Sequence, residues 1–452
     1  MEIPRLMGEM KRSIKWQFAA WYGLAVMILV AIAGNSIGQI MLLVVEPMKA
    51  DLSLSDAQIG LLRGVATTLV VAIAAYPIAW LADRIDRRLV FAGCMLIWSL
   101  ATIGIGLSTS FQMLFAMGVG LAFGEAVLGP VTFAIIPELF PPERRMLANS
   151  IFFVSQLLGV AAGLTVGGWL IQSIDAAHAS LPGAFAAFEQ WRLTMMAAAL
   201  PSLLLIPVVL LLRLKRRSRP PAAPDAATDD GVGRYARTHW RTLASLFLGF
   251  GLIGAANFVP FGWLPVVLVR SFGEPAGQVG LQLGQIFAIS SVSGVVAANV
   301  LARLIARRDP DRAPLRVAQA GALFAALTSL LYLFARSPAQ FYAIAAFQMA
   351  ASFGGLVLSP TLTQNVTPAR FRARLLAIGG MFYIGFGALS PPLVGFASDR
   401  LGPDPRSLLI AMILVAVPAF LLGAIALQIG ARRLPATVQA ARQEEQEEEV
   451  SG

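Results

Sequence analysis

Twelve apolar stretches follow one another along the chain, separated by mostly short polar segments. A helix rises about 1.5 Å per residue and satisfies its own backbone hydrogen bonds, so roughly 20 residues cross a hydrocarbon core of about 30 Å. The pattern therefore predicts an all-α membrane protein with twelve transmembrane helices. Their predicted limits are 17–45, 57–81, 89–108, 112–138, 147–171, 192–214, 241–269, 279–305, 315–335, 338–365, 373–398 and 407–430.

Composition agrees with a membrane protein, since 57% of the residues are hydrophobic and only 13% are charged. The net charge of +10 is compatible with a nucleic-acid partner, but the basic residues lie between the apolar stretches and form no continuous basic face. We therefore expect the lipid bilayer as partner and no nucleic acid. The single cysteine, Cys94, excludes an internal disulfide.

The distribution of positive charge predicts the orientation of the chain. An even number of spans places both termini on one side, and 28 of the 35 Lys and Arg residues fall on that side, against 6 on the other. By the positive-inside rule both termini are cytoplasmic. The excess of Arg over Lys and the abundant Ala are typical of a bacterium with a GC-rich genome, which favours the inner membrane.

One long polar segment divides the twelve spans into six and six. We predict an N-terminal six-helix bundle at 1–212, a cytoplasmic linker at 213–240, a C-terminal bundle at 241–432 and an acidic, disordered tail at 433–452. Two bundles that rock around a site at the bilayer midplane are the usual architecture of a secondary transporter.

A charged loop follows the second span in the stretch AWLADRIDRRLV, with Asp83, Arg84, Arg87 and Arg88. It resembles the loop motif Gly-x-x-x-Asp-Arg-x-x-Arg-Arg of the major facilitator superfamily, with Ala79 in place of the glycine. The resemblance implies the major facilitator fold and a latch that breaks during transport. The alternative is that these charges only set the orientation.

Six further stretches are similar to the Spinster-like branch of that superfamily. The resemblance implies an amphipathic lipid as substrate, and it adds Glu138, Arg144 and Arg145 to the predicted latch. The stretches are EPMKADLSLSDAQIGLL at 46–62, GEA at 124–126, ELFPPERR at 138–145, RRDPDR at 307–312, TPARFRA at 367–373 and SPPLVGFASD at 390–399.

Glu125 is the first candidate site residue, because it lies near the middle of the fourth span. A charge at that depth costs several kcal/mol unless it is paired, hydrated or protonated. In the Spinster-like branch the Glu of GEA is the cavity carboxylate, which implies a role in substrate or proton binding. The alternative is a structural hydrogen bond between helices.

The sequence departs from the branch where cationic partners of this carboxylate are expected. Ile37 and Gly38 replace an Asp-Arg pair in the first span, and Gly118 replaces an Arg in the fourth. Arg63, about 9 Å inside the second span, is a candidate replacement that binds an anion together with Glu125. The alternative is that Arg63 extends to the membrane surface beside Glu46 or Asp51.

Other polar and aromatic residues at membrane depth complete the predicted site. Asn35 and Gln39 lie one helical turn apart beside the missing charged pair, and Tyr76, Phe382 and Tyr383 are candidates for lining an apolar cavity. Such residues also serve commonly in helix packing.

No Gly-x-x-x-x-Gly-Lys-Ser/Thr or His-Glu-x-x-His motif occurs, so we expect neither an ATP-driven pump nor an enzyme, and no cofactor or metal. The sequence predicts a monomeric secondary transporter of a lysophospholipid or sphingoid phosphate, and Glu125 is the candidate residue for proton coupling. The alternatives are transport of a soluble organic anion or drug-like compound, and a passive lipid scramblase or channel.

Overall fold

A computed structural model describes residues 2–178, 183–212, 230–368 and 371–451, and the regular elements in these ranges are helices. A π-helix, Leu62–Leu69, and a 3₁₀-helix, Tyr332–Phe334, accompany the α-helices. The α-helices are α1 Glu2–Leu43, α2 Val45–Leu52, α3 Asp56–Leu61, α4 Val70–Arg84, α5 Arg87–Gly106, α6 Phe111–Glu125, α7 Pro130–Leu139, α8 Pro142–Ala177, α9 Gly183–Ala186, α10 Gln190–Leu210, α11 Asp230–Thr238, α12 Trp240–Phe272, α13 Ala276–Ala306, α14 Ala313–Leu331, α15 Pro338–Leu356, α16 Leu358–Asn365, α17 Arg372–Leu401, α18 Ser407–Ala431 and α19 Leu434–Ser451.

The prediction of twelve spans is confirmed, because the described residues contain twelve helical segments long and apolar enough to cross a membrane. The fifth predicted span, 147–171, lies entirely within the 36-residue helix α8, which extends beyond it at both ends. Helix ends follow capping and hydrogen bonding, which hydropathy does not report.

The chain forms two compact units. The first consists of Met1–Leu52, Val70–Arg219 and Ala276–Gly284, as far as these residues are described. In this unit α1 packs along α8 and α10, and α5 packs against α6 and α10. The α1–α8 contact is close because Gly159 and Gly163 of α8 lie against Asn35 and Gln39 of α1.

The second unit consists of Ser53–Leu69, Pro220–Pro275 and Gln285–Gly452, again as far as these residues are described. Within it α12 packs against α17 and α18, α14 packs against α15 and α18, and α3 with the π-helix packs against α17. The predicted domain boundaries at 212 and 241 assign each span to a bundle by its order in the chain. The compact units differ from that assignment, since Ser53–Leu69, part of the second span, packs with the later helices.

Two segments predicted to be irregular contain helices. In the predicted linker, 213–229 lie outside the described residues, but α11 is helical and the Tyr235 hydroxyl donates a hydrogen bond of 2.6 Å to the carbonyl of Val366. The predicted disordered tail forms α19, where Leu434, Val438 and Ala441 are buried. Their spacing of four and three residues is an amphipathic pattern that the acidic composition obscures.

Candidate functional site

The fourth span is interrupted at the predicted site residue. Helix α6 ends at Glu125 and α7 begins at Pro130, and the residues between them form turns within the apolar span Phe111–Ile136. Proline has no N–H group to continue the hydrogen-bond ladder. Interrupted helices at membrane depth are tolerated where the freed backbone groups are buried in protein or line a cavity, and they mark binding sites in transporters.

The carboxylate of Glu125 is held at this interruption. Its side chain is half-buried, and its Oε1 atom is fully buried and accepts no hydrogen bond within the described part of the chain. The preceding Gly124 lies directly against the backbone of Cys94 and Trp98 on α5. A buried carboxylate oxygen that accepts no hydrogen bond is costly while charged, so the site is suited to bind a proton or a cationic group.

The tenth span has a shorter interruption, the single residue Val357 between α15 and α16. The two breaks share a sequence pattern, FGEAVLGP at 123–130 and FGGLVLSP at 353–360. Gly355 therefore occupies in the second half the place that Glu125 has in the first. Paired interruptions at corresponding positions of two halves indicate a transport site. Our sequence analysis missed this internal repeat, although both copies can be read from the sequence.

Asn35 and Gln39 lie in the first unit on the face of α1 that meets α8. The Asn35 amide donates hydrogen bonds to the Ala31 carbonyl at 2.8 Å and to Gln156 Oε1 at 2.5 Å. Gln39 packs against Gly163. Asn35 therefore makes a helix-to-helix hydrogen bond, and Gln156 is a neighbour that the sequence did not single out as a site residue.

Three residues stand where the Spinster-like branch usually has charged side chains, and none of the three carries a charge. Ile37 is fully buried in the core of the first unit, and Gly118 is also buried. At Gly38 a side chain would meet open space. The absence of the expected cations on α1 and α6 thus leaves Glu125 without the usual basic partners of the branch.

Arg63 lies in the second unit, at the second residue of the π-helix. Its Nε is 3.9 Å from the point where a Cβ would stand on Gly262 of α12. The hydroxyl groups of Thr67 and Thr68 both donate to the Arg63 carbonyl, at 2.5 and 2.9 Å. Arg63 and Glu125 belong to different compact units, so their joint action remains a prediction.

The predicted aromatic residues of α17 pack against α12 in the second unit. The Phe382 ring lies between Phe247 and Phe386, with ring centroids 5.8 and 6.1 Å away. The Tyr383 ring packs on Gly254, and fully buried Asn257 lies beside its hydroxyl. Tyr76 joins neither group, because its side chain is 78% exposed on α4.

Part of the predicted latch forms a chain of ion pairs in the first unit. Buried Arg87 donates to Glu138 Oε1 at 2.7 Å, to Asp83 Oδ1 at 3.1 Å and to the Ala134 carbonyl. It thereby joins the end of α4, the start of α5 and α7. The sequence could not rank Arg87 above its basic neighbours, since burial distinguishes it.

The other latch residues have different surroundings. Arg84 is exposed and stacks on Trp80, with 3.4 Å from Cζ to the ring centroid. Arg88 pairs with Asp86 at 2.6 Å, and its hydrogen bonds hold the pKa of that carboxyl below its ordinary value. Arg144 is exposed, and the side chain of Arg145 lies outside the described part of the structure.

Comparison with known proteins identifies the fold. The sequence model of the family described as Major Facilitator Superfamily matches residues 24–383. The chain belongs to the major facilitator superfamily. It is accordingly a multi-pass membrane transporter. Within residues 2–178, 183–212, 230–368 and 371–451, no group of three His, Cys, Asp or Glu side chains is placed to hold a metal ion.

Relatives of this major facilitator protein confirm the resemblance to the Spinster-like branch. It is 26% identical to Protein spinster homolog 3 of Danio rerio over 77% of this chain and 70% of that protein. The crystal structure of a bacterial homolog to the human lysosomal transporter Spinster, inward-facing and unoccupied, superposes with a TM-score of 0.73 at 20% identity, covering 94% and 98% of the two chains.

A further relative is a transporter described as an MFS-type efflux pump of Mycolicibacterium smegmatis strain ATCC 700084 / mc(2)155. It is 28% identical to this chain over 399 residues, which are 86% of this chain and 87% of that protein. The relatives thus agree on the family, and none of these three names states a substrate.

Proposed function

We propose that the protein is a secondary transporter that works by alternating access and moves an amphipathic, lipid-like substrate such as a lysophospholipid or a sphingoid phosphate. The observation that carries the proposal is Glu125 at the interruption of the fourth span, where one buried carboxylate oxygen has no hydrogen-bond partner among the described residues. The resemblance of the sequence motifs to the Spinster-like branch, which implies a lipid substrate, supports this choice of substrate.

Charge matching supports a zwitterionic or phosphate-bearing headgroup. Glu125 is suited to neutralise an amine, and Arg63, whose guanidinium lies over Gly262, is suited to neutralise a phosphate. The half-buried aromatic side chains Phe382 and Phe386 offer apolar surface for a hydrocarbon chain. This assignment rests on the chemistry of these residues and on the match of Glu125 to the cavity carboxylate of the branch.

Coupling to protons follows from the same carboxylate. Within the described chain, Glu125 Oε1 accepts no hydrogen bond, and a proton would remove the cost of its buried charge. Loading and release of that proton as the surroundings change would link transport to a pH gradient. We also expect the protein to act as a monomer in a bacterial inner membrane.

A second candidate is export of a soluble organic anion or drug-like compound. The similarity to the mycobacterial efflux pump, which extends over most of both chains, favours it. The two candidates differ in whether a lipid moves across the bilayer, so the same experiment separates them.

The deciding experiment follows a labelled lysophospholipid in liposomes that contain the pure protein, with and without an imposed pH gradient. We expect the gradient to accelerate lipid movement in the wild type, and we expect Glu125→Gln to abolish that acceleration because glutamine binds no proton. Glu189→Gln is the matched control, since Glu189 is exposed before α10. It should transport like the wild type.

Each other outcome contradicts part of the proposal. Lipid movement that ignores both the gradient and Glu125→Gln would indicate uniport or passive scrambling and remove proton coupling. If no lipid moves while a soluble organic anion is transported with saturable kinetics, the lipid assignment is wrong and the second candidate replaces it.

A further inference from the structure

Helices α14 and α18 of the second unit pack against each other, and an amide pair links them on the exposed side. Gln319 Nε2 donates hydrogen bonds to Gln428 Oε1 at 2.9 Å and to the Ala424 carbonyl at 3.2 Å. Both glutamines lie inside apolar spans, Ala313–Phe334 and Ser407–Ala431, and Gln428 is exposed there. Amides are uncommon on the outer face of a membrane-spanning helix, because lipid tails offer them no hydrogen bond.

This amide pair leaves hydrogen-bonding capacity unused. Within the described ranges, Gln319 Oε1 and Gln428 Nε2 have no hydrogen-bond partner, so one acceptor and one donor are available to a ligand. Gln428 lies three residues before the end of its span and Gln319 lies six residues after the start of its own. These separations are about 4.5 and 9 Å along a helix. The amides therefore lie near the inner border of the polar interface, which is about 5–7 Å thick on each side of a bilayer.

Arginines continue both helix faces toward the membrane surface. Arg316 precedes the glutamine of α14 by three residues, and Arg432 follows the glutamine of α18 by four, so each lies on the same face as its glutamine. Both arginines are exposed. Arg312 donates from Nε to the Ala431 carbonyl at 3.0 Å, which ties the start of α14 to the end of α18. The two arginine-bearing helix ends are therefore neighbours.

Positive charge exceeds negative charge at these helix ends. Asp309 pairs with Arg316 at 2.9 Å and lies 3.9 Å from Arg312, so one carboxylate serves two arginines. The adjacent Asp311 pairs with an arginine of α19. Arg432 forms no ion pair with any residue that the structure describes. The excess charge is suited to an anionic group, and guanidinium groups bind phosphate oxygens especially well.

Apolar side chains continue the same two faces in the opposite direction, into the span. On α14 they are Leu323 and Leu327, one and two turns beyond the glutamine, and on α18 they are Ile425 and Leu421. All four are exposed. From the helix ends inward the surface thus changes from arginine to amide to hydrocarbon. A glycerophospholipid has the matching order of phosphate, ester carbonyl and acyl chain.

We propose that this surface, the α14–α18 face, binds one anionic phospholipid of the bilayer. Arg316 and Arg432 bind the phosphate, the free donor of Gln428 binds an ester carbonyl, and the acyl chains lie along the four apolar side chains. The lipid is a ligand of the second unit and is not the transported substrate, since Glu125 belongs to the first unit. Both helix ends lie on the side of the termini, which is the predicted cytoplasmic side.

Quenching of an added tryptophan tests the site in a bilayer. Ile425→Trp places an indole on the α14–α18 face, and its fluorescence is obtained by subtracting that of the parent protein. The protein is reconstituted in mixtures of phosphatidylglycerol and phosphatidylcholine in which one of the two lipids carries brominated acyl chains. Bromine quenches only at short range, so the two mixtures together give the local preference for phosphatidylglycerol. We expect a preference of at least about tenfold, since each arginine near a lipid phosphate contributes about a factor of five.

Substitutions of the arginines show whether they cause the preference. Arg432→Gln breaks no ion pair of the described chain, so it should fold normally and lower the preference about fivefold. Adding Arg316→Gln should bring the preference to within about twofold of unity. The matched control is Arg336→Gln with Arg406→Gln, which removes two exposed arginines beyond the opposite ends of the same two helices. It should keep the preference of the parent.

The proposal is overturned if the added tryptophan shows no preference between the two lipids, if Arg432→Gln leaves the preference unchanged, or if the control loses it as well. Weak quenching by both brominated lipids would mean that a second copy of the chain covers the face, which also overturns the proposal. The measurement needs no transported substrate. Failure to observe lipid transport would therefore contradict the proposed substrate and leave this result unaffected.

Discussion

Replacing Arg87 by glutamine is expected to lower the free energy of unfolding by about 1.5–3 kcal/mol, the usual range for loss of hydrogen bonds to a charged group, because Arg87 is buried while Asp83 is largely exposed. The guanidinium is buried between Asp83, Glu138 and the Ala134 carbonyl, and glutamine cannot reach all three or neutralise the carboxylates. The measurement is the fraction of folded protein that survives a series of temperatures in detergent.

Arg84→Gln is the matched control for Arg87, because it removes an arginine from the same motif. Arg84 is exposed and stacks on Trp80, an interaction worth about 0.5–1 kcal/mol at such sites. Equal losses of stability in Arg87→Gln and Arg84→Gln would contradict this prediction. They would show that the motif acts through its total charge, as expected if these charges only set the orientation of the chain.

Gly124→Val is expected to reduce transport about fivefold to a hundredfold, since overpacking of this kind costs about 1–3 kcal/mol and 1.4 kcal/mol is a factor of ten. A Cβ at Gly124 would lie 2.6 Å from the Cys94 carbonyl oxygen and 2.6 Å from Trp98 Cβ. Because backbone atoms cannot move aside cheaply, α6 must shift and carry Glu125 with it. The readout is the initial rate of gradient-driven uptake in liposomes, for protein that is monodisperse by size exclusion.

Gly129→Ala is the control for Gly124→Val in the same interruption. A Cβ at Gly129 meets open space, and its φ of −77° is ordinary for alanine. We expect wild-type transport. A comparable loss in both variants would mean that any change in the break is harmful and that the contact with α5 is not the cause.

Several features of the candidate site were readable from the sequence. A carboxylate in the middle of a long apolar span is conspicuous because charge is expensive there, so Glu125 could be singled out. The charged loop after the second span was also evident. The individual roles of the loop residues were not evident, because burial distinguishes Arg87 and because Arg87 and Arg88 have partners that are distant in sequence, Glu138 and Leu212.

The ion pair between Asp56 and Arg270 in the second unit could not be predicted in the same way. In the sequence Arg270 counted only as one of six basic residues on the side opposite the termini, and Asp56 only as part of a family resemblance. Asp56 and Arg270 are 214 positions apart in the sequence, and no local sequence pattern indicates a contact over that distance. The amphipathic helices α11 and α19 were missed because composition was weighed above spacing.

The sequence by itself determined the number of spans, the family and the position of Glu125, because the thickness of the hydrocarbon core and the cost of buried charge act locally along the chain. The tertiary structure alone decided which arginine of the loop is buried, which helices meet at glycine contacts, and that Ser53–Leu69 packs with α12 and α17. Those outcomes depend on close packing and ion pairing between side chains from distant parts of the chain. No single segment of the sequence contains both partners of such a contact.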